Sequence, residues 1–458
     1  ARLFALADWS GKRVVVLAPD ADDLGREVVS RSGAASVETG SLEALPDGQY
    51  GGALVAGTLE EVSTGDVLRA LRWLHDHLDP GAQCVLVVET YLSAACPPLR
   101  TPFAHLLFAG DVVDHRLASQ GAARLSDRNP MCRASYLVLA IRAGLEVASC
   151  ASFHQPLEQV PAKLAHYAHG ELACGRFAAL LLRPADVEQR LEELQAVRRS
   201  ESVDVAEKST QEWGALWAEG LWESLYRRFD PTIDGQDVLD LGCNWGYLLK
   251  LITERFRPRR LVGVDLHPMW EVLDHGWSYG ELPNVELHDG VFADIEAIGP
   301  ASIDLILSTS TLQMMGPEEL ERNLAKAYEV LRPGGEMLLR TRVATSYIGA
   351  DLHARFDLPY AHLLHPGPVI ERSAAEAGDH GLPELLPYTA STYLALFARA
   401  GFEAVEVRRL FNRDHGGELE ARVRAALPGV ADEERRCMEL EARLVKPIDP
   451  ADVSALAA

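Results

Sequence analysis

Through the second half of the chain, short apolar or alternating runs are separated by longer stretches in which apolar positions recur every three or four residues. The short runs predict strands near Val238 to Leu241, Leu261 to Val264, Val285 to His288, Leu305 to Ser308, Met337 to Thr341, Ala404 to Val407 and Glu439 to Val445. Strands alternating with helical periods predict a mostly parallel sheet with helices on both faces, a doubly wound α/β arrangement. Ahead of that sheet, "EWGALWAEGLWESLYRRF" sets Trp213, Trp217, Leu221 and Leu225 on one face at steps of four, an amphipathic helix.

The same alternation fills the first half, and the two halves share more than pattern. "PFAHLLFAGDVV" from Pro102 lines up with "PYAHLLHPGPVI" from Pro359, and at the same offset of 257 "SYLVLAIRAGLE" from Ser135 meets "TYLALFARAGFE" from Thr392. Weaker matches extend both ways, so the chain reads as two copies of one module. The expected division is 1–187, a connector at 188–212 built from a charged helical stretch and polar residues, and 213–458.

At 458 residues the chain has room for two such cores. Its net charge of -23, with only six lysines, argues against nucleic acid as partner, because phosphate backbones are bound by clustered cations. Seven cysteines without a CxxC pair or a zinc-type spacing predict buried free thiols in a reducing cytoplasm and no metal. No export signal and no apolar run long enough to span a membrane is evident in the sequence.

The chemistry gathers in "VLDLGCNWGYLLKLI", where a strand ends in Asp240 and a turn containing Gly242 and Gly246 leads into a helix. Ligands of doubly wound sheets bind beyond the carboxyl ends of the strands, where such a turn lets them approach the backbone. A G-x-G-x-x-G dinucleotide fingerprint is missing, since Asn244 holds the third place and Tyr247 the sixth.

"DLGCNWG" resembles the first motif of the class I S-adenosylmethionine-dependent methyltransferases, with Asn244 in place of the usual middle glycine. "LVGVDLHP" resembles the second motif, "ELHDGVF" the third, and "DLILSTSTLQMM" with "VLRPGGEMLL" the fourth and fifth strands, all in family order. The resemblance implies two tandem Rossmann-like methyltransferase-type domains and S-adenosyl-L-methionine as cofactor. Asp265 would then take the ribose diol, Asp289 the adenine amine with Leu266, Gly290 and Val291 as walls, and Asp240 the ammonium of the methionine end. Cys243, Asn244, Gly246 and Ser308 complete the expected cofactor set. Asn tolerates the left-handed conformation that position 244 inherits from glycine.

The first copy lacks these features. Aligned on Gly11 and Gly235, it has Val16 in the place of Asp240 and Ala18 in that of Gly242. It spans Leu17 to Ala53 in 36 residues where the intact copy takes 65 from Leu241 to Ile306, a deficit close to one strand-helix-strand step. The first copy is therefore expected to be degenerate and to hold no cofactor. A residue kept in both copies then belongs to the fold, and one found only in the intact copy is a candidate for function. That rule sets His362 aside, because His105 matches it, and favours His365, whose counterpart is Phe108.

An acceptor hydroxyl must lose a proton, which suits histidine, and the ordered candidates are His365, His267 and His353. Gln313, Met314, Trp245 and Trp217 are the candidate acceptor contacts, and Trp270, Trp277 and Tyr279 could add aromatic walls. The expected activity is methyl transfer to a small molecule, oxygen before carbon or nitrogen, in specialised metabolism. The alternatives are a methyltransferase of tRNA or other RNA, since a "GCNWGY" first motif also occurs in some wobble-base modifiers, and an assembly module that binds the cofactor without catalysis. A homodimer, or an intramolecular pseudo-dimer meeting at the paired "AHLL" segments, is the expected assembly.

Overall fold

The computed structural model describes residues 6–19, 21–92, 103–107, 110–119, 128–152, 160–174, 177–198, 210–266, 284–349, 352, 356, 358–376 and 386–448. The chain forms two compact units, one of residues 1–203, 343–395 and 411–438, the other of 204–342, 396–410 and 439–458. This differs from a simple cut at 187 and 213, because two segments of the second half fold with the first. The physical reason lies in their apolar faces. Leu352, Phe356, Leu358, Ala361, Val369, Ile370 and Ala374 share one buried cluster with Leu191 and Leu194 of the helix Val187–Arg198, in the stretch read as a connector.

The first unit holds a six-stranded sheet: β1 (Arg13–Leu17), β2 (Ser36–Gly40), β3 (Tyr50–Ala56), β4 (Leu78–Glu89), β5 (Leu145–Ser152) and β6 (Phe177–Pro184), in the order β2-β1-β3-β4-β6-β5. Only β6 runs antiparallel to its neighbours. The second unit's sheet has seven strands: β7 (Asp237–Leu241), β8 (Arg260–Asp265), β9 (Val285–Asp289), β10 (Ile303–Thr309), β11 (Leu331–Arg342), β12 (Glu403–Phe411) and β13 (Cys437–Val445). Their order is β12-β13-β11-β10-β7-β8-β9, with β13 antiparallel to β11. Each of the seven strands predicted from periodicity is present. Removing β9 from this order leaves the strand order of the first sheet, read from its other edge. Both sheets also share an irregularity, a register shift between Tyr50 and Gly52 against β4 and between Ile303 and Leu305 against β11.

The second unit's core explains why β7 is apolar throughout. All of Asp237–Leu241 is buried, and Val238 packs with Leu249 and Ile252 of the following helix and with Leu225, Tyr226 and Phe229 of the preceding one. Each such side chain, fully buried, stabilises by roughly 1.5–3 kcal/mol. Among the described residues no helix is long and apolar enough to cross a membrane.

In the first unit the helix Arg133–Arg142 begins in a fully enclosed polar cluster. Arg133 and Glu171 are buried and bonded at 2.8 Å. Removing one partner of such a pair strands the other charge, whereas replacing both by apolar side chains is close to neutral. Glu171→Ala should lower stability by about 3–5 kcal/mol in urea denaturation. The double change Arg133→Met with Glu171→Leu should recover most of that loss.

Candidate functional site

The turn after β7 is held by backbone bonds that glycine makes possible. The N–H groups of Gly242 and Cys243 both donate to the Val264 carbonyl at the end of β8, at 2.8 and 3.1 Å. Gly242 has φ +83°, and a Cβ there would lie 1.9 Å from Thr311 Oγ1, so this glycine is required by Thr311 as well as by its own backbone. Asn244 adopts φ +46° and Gly246 φ +76°, after which the helix Tyr247–Arg255 begins. The Asn244 N–H donates to Asp265 Oδ2 at 2.8 Å and thereby fixes the orientation of that carboxylate. Across the sheet, Asp265 stands in register with Asp289, and its own carbonyl accepts the Gly290 N–H at 3.0 Å.

These pieces surround a cavity of about 760 Å³ in the second unit. Of the residues singled out in the sequence, Asp240, Gly242, Cys243, Asn244, Asp265, Leu266, Gly290 and Val291 line it, together with Trp217, Trp245 and Met314. Gly246 shapes the turn from behind, and Asp289 sits at the exposed end of β9 outside the lining. Ser308 is buried and donates to the Leu241 carbonyl at 3.1 Å, so its hydroxyl ties two strands together and takes no part in the wall. Gln313 is likewise turned inward. Its Oε1 accepts from Thr341 Oγ1 at 3.2 Å and from the Arg342 N–H at 3.0 Å, which replaces an acceptor-orienting role by a brace on β11.

The histidines fare differently. His365 belongs to the first unit and is not among the cavity residues. It is 1% exposed, and among the described residues neither ring nitrogen has a hydrogen-bond partner. Burial, helped by the nearby positive charges of Arg422 and Arg190, pushes its pKa down to about 4. His267 and His353, like Trp270, Trp277 and Tyr279, lie outside the described residues. His362 and His105 do the same local work. Nε2 of the former lies 2.8 Å from the Ala344 carbonyl, and that of the latter 2.5 Å from the Tyr91 carbonyl.

Asp240 is the electrostatic centre. It is buried, lines the cavity, and has no hydrogen-bond partner among the described residues. Burial first, then the negative charge of Asp265, raises its carboxyl to about 8. An ammonium placed there would meet an acceptor that nothing else satisfies. Gly290, at φ +128°, faces open space where a Cβ would touch nothing. The residues present therefore fit an adenosyl cofactor with an amino-acid end.

Thr309, Ser310, Thr311, Phe292, Met315, Glu319 and Asn323, which no sequence motif singled out, also line the cavity. One of them left a legible signal: Asn323 is a polar residue on the apolar stripe of Leu320, Leu324 and Ala327, and its Oδ1 accepts the Ala293 N–H at 2.8 Å. The lining has no Lys, Arg or His among the described residues, while three carboxyl groups, those of Asp240, Asp265 and Glu319, face it.

Comparison with known proteins agrees with this geometry. A family model described as a methyltransferase domain matches residues 238–335. A protein of Mycolicibacterium smegmatis named a probable S-adenosylmethionine-dependent methyltransferase is 26% identical over 217 residues, 46% of this chain and 74% of that protein. The carboxy-S-adenosyl-L-methionine synthase of Chromohalobacter salexigens is 28% identical over 31% of this chain and 51% of its own length. The malonyl-[acyl-carrier protein] O-methyltransferase of Hahella chejuensis is 30% identical over 23% of this chain and 36% of its own. The chain thus spans about half or less of the length of the latter two.

The state of Asp240 has a measurable consequence. Between about pH 4 and about pH 8 the folded chain holds a proton there that the unfolded chain has released. Through this group alone the unliganded protein loses ~1.4 kcal/mol of stability per pH unit as pH rises across that window. Asp240→Asn removes the titration, so denaturation at about pH 6 and about pH 8 should show the variant gaining on the wild type at the higher pH. Calorimetry should show its affinity for S-adenosylhomocysteine about tenfold weaker. Parallel pH slopes in the two proteins would contradict the assignment.

Proposed function

We propose that this chain, a class I S-adenosylmethionine-dependent methyltransferase, moves the methyl group to an oxygen of a small, uncharged acceptor held beside Trp217 and Met314. The cofactor, when bound, supplies a methyl group on a positive sulfonium. The chain's own part is to hold both reactants and to exclude alternatives. Asp240 takes the ammonium, Asp265 the ribose hydroxyls, and Gly290 with Val291 and Phe292 the adenine. Displacement at a methyl group is governed by distance and alignment, so a shaped cavity can supply much of the catalysis.

The observation that carries the acceptor class is the charge of the wall. With three carboxyl groups and no cationic side chain among its described residues, it favours a neutral acceptor over a polyanion, and it gives an RNA backbone nothing to bind. Trp217 and Met314 are exposed at 47% and 55%, which leaves apolar surface for an apolar or aromatic acceptor to cover. Oxygen as the receiving atom agrees with the named chemistry of the Hahella relative. A role in specialised metabolism, in the cytoplasm, belongs to the same proposal.

The base follows from chain position. Leu266 lines the cavity and His267 is the next residue, which ranks it ahead of His365 and His353.

We also infer that the two halves are copies of one module, the first without a cofactor site. Contacts inside the first unit support this. Cys132 Sγ lies 3.2 Å from Thr389 Oγ1 and Ser135 Oγ lies 2.9 Å from Thr392 Oγ1, so residues 257 apart in sequence touch each other. The Cys132 N–H donates to Thr392 Oγ1 at 3.1 Å and the Thr389 N–H to Ser135 Oγ at 3.3 Å, a reciprocal pair of the kind found at a twofold axis. The self-pairing lies at these two helix N termini, where the repeat had pointed to the "AHLL" segments.

Incubation with methyl-labelled cofactor and either small-molecule extract or total RNA of the host tests the reading, which requires label in the former only. His267→Ala should lower turnover by about a hundredfold with cofactor affinity unchanged. His365→Phe, which installs the residue of the first copy, should leave both within about twofold. The reverse pattern would restore His365 as the base.

A further inference from the structure

The helix that begins at Thr210 does not stay α-helical. After Leu221 it passes through a π turn, Trp222–Tyr226, and ends as Arg227–Phe229. Such turns widen the backbone by one residue and are found disproportionately at functional sites. In an unbroken α-helix the steps of four from Trp217 would run through Leu221 to Leu225. The i to i+5 step of the π turn carries that line from Leu221 to Tyr226 instead. Tyr226 thereby comes onto the side of the helix that bears Trp217, which lines the cavity.

The Tyr226 hydroxyl is buried and lies 2.7 Å from Thr309 Oγ1. Thr309, at the end of β10, lines the cavity. Proton bookkeeping settles the direction of this bond. Burial and the nearby Asp240 keep the phenol protonated, and Thr309 is its one partner among the described residues. If Thr309 donated, the phenol proton would be left buried without an acceptor, which costs more than one ordinary hydrogen bond stabilises. Tyr226 therefore donates, and the Thr309 proton, with no acceptor among the described residues, is left for the cavity.

What it meets there follows from charge. Asp240 faces the same part of the site, close enough to influence Tyr226, and provides for a positive group. An amino-acid end carries one positive and one negative group side by side. The negative one needs a donor, and the wall offers no Lys, Arg or His among its described residues. Of its neighbours, Thr311 spends its hydroxyl on the Leu241 and Thr309 carbonyls, both at 3.1 Å.

We propose that Tyr226 is a positioning residue that fixes the Thr309 hydroxyl as the donor to the carboxylate of the cofactor's amino-acid end. This rests on the cavity being the S-adenosylmethionine site. The π turn is the device that makes it possible, because without its extra residue the tyrosine would be rotated away.

Calorimetric titration of the full chain with S-adenosylhomocysteine, and with 5′-methylthioadenosine, which lacks the amino-acid end, tests it. Tyr226→Phe and Thr309→Val should each weaken S-adenosylhomocysteine about tenfold and leave methylthioadenosine within about twofold. Thr309→Ser, which keeps the hydroxyl, should bind as the wild type. The double variant should be no weaker than Thr309→Val alone, because Tyr226 acts only through Thr309. Wild-type affinity in Tyr226→Phe, or an equal loss for both ligands, would overturn the proposal. A wild-type chain that binds neither ligand would remove the cofactor reading itself.

Discussion

The site depends on the joint between the ends of β7 and β8. Two consecutive N–H groups, of Gly242 and Cys243, share the Val264 carbonyl, and the next, of Asn244, bonds the Asp265 carboxylate. Three donors in a row are thus committed to one neighbouring strand. That commitment goes with positive φ at Gly242 and Asn244 and with Asp240 and Asp265 both lining the cavity, Asp240 having no hydrogen-bond partner among the described residues. The two acids differ in surroundings, because the same turn buries one and gives the other a backbone hydrogen bond. Burial and the neighbouring Asp265 raise the Asp240 carboxyl, while Asp265 accepts the Asn244 N–H.

Legibility in the sequence followed the range of the interaction. Strands β7 to β13 could be read because each is a local apolar run whose burial needs no knowledge of its partner. The acid-glycine turn was legible for the same reason, since the constraint on backbone and side chain falls within a few residues. The roles of Ser308 and Gln313 were not, because each is decided by a carbonyl or N–H on another strand: Leu241 for one, Arg342 for the other. The π turn at Trp222–Tyr226 was hidden by the very pattern that revealed its helix. Steps of four through Trp213, Trp217, Leu221 and Leu225 describe an ideal helix, and Leu225 and Tyr226 are both buried, so hydropathy does not distinguish which of the two keeps the line.

The internal match at an offset of 257 is informative where the matched residues do the same local work, and less so where only position is compared. His105 and His362 each point Nε2 at a backbone carbonyl, which is a reason of fold for keeping both. Difference from the first copy is weaker evidence. His365 has a phenylalanine counterpart, yet its ring is enclosed with Arg190 and Arg422 nearby and is not among the residues that form the cavity. A substitution between copies marks relaxed or altered packing as readily as it marks chemistry, and only geometry separates the two.

The composition of the first unit gives a physical reason for the two halves of the chain to depend on each other. Residues 343–395 and 411–438 come from the second half of the chain, but their apolar faces are buried with residues of the first, including Leu191 and Leu194. The cap of the helix Ala390–Arg399 shows the same dependence at the level of single bonds. The Ser391 N–H and hydroxyl both reach Glu434, while Thr389 and Thr392 bond Ser135 and Cys132. Removing the first half would expose that apolar surface and leave those buried polar groups without partners, and each loss would be felt in the stability of segments that belong to the second half. On the proposed duplication, two copies sharing a core in this way would let the cofactor site of one decay without consequence for folding, whereas its packing surface could not.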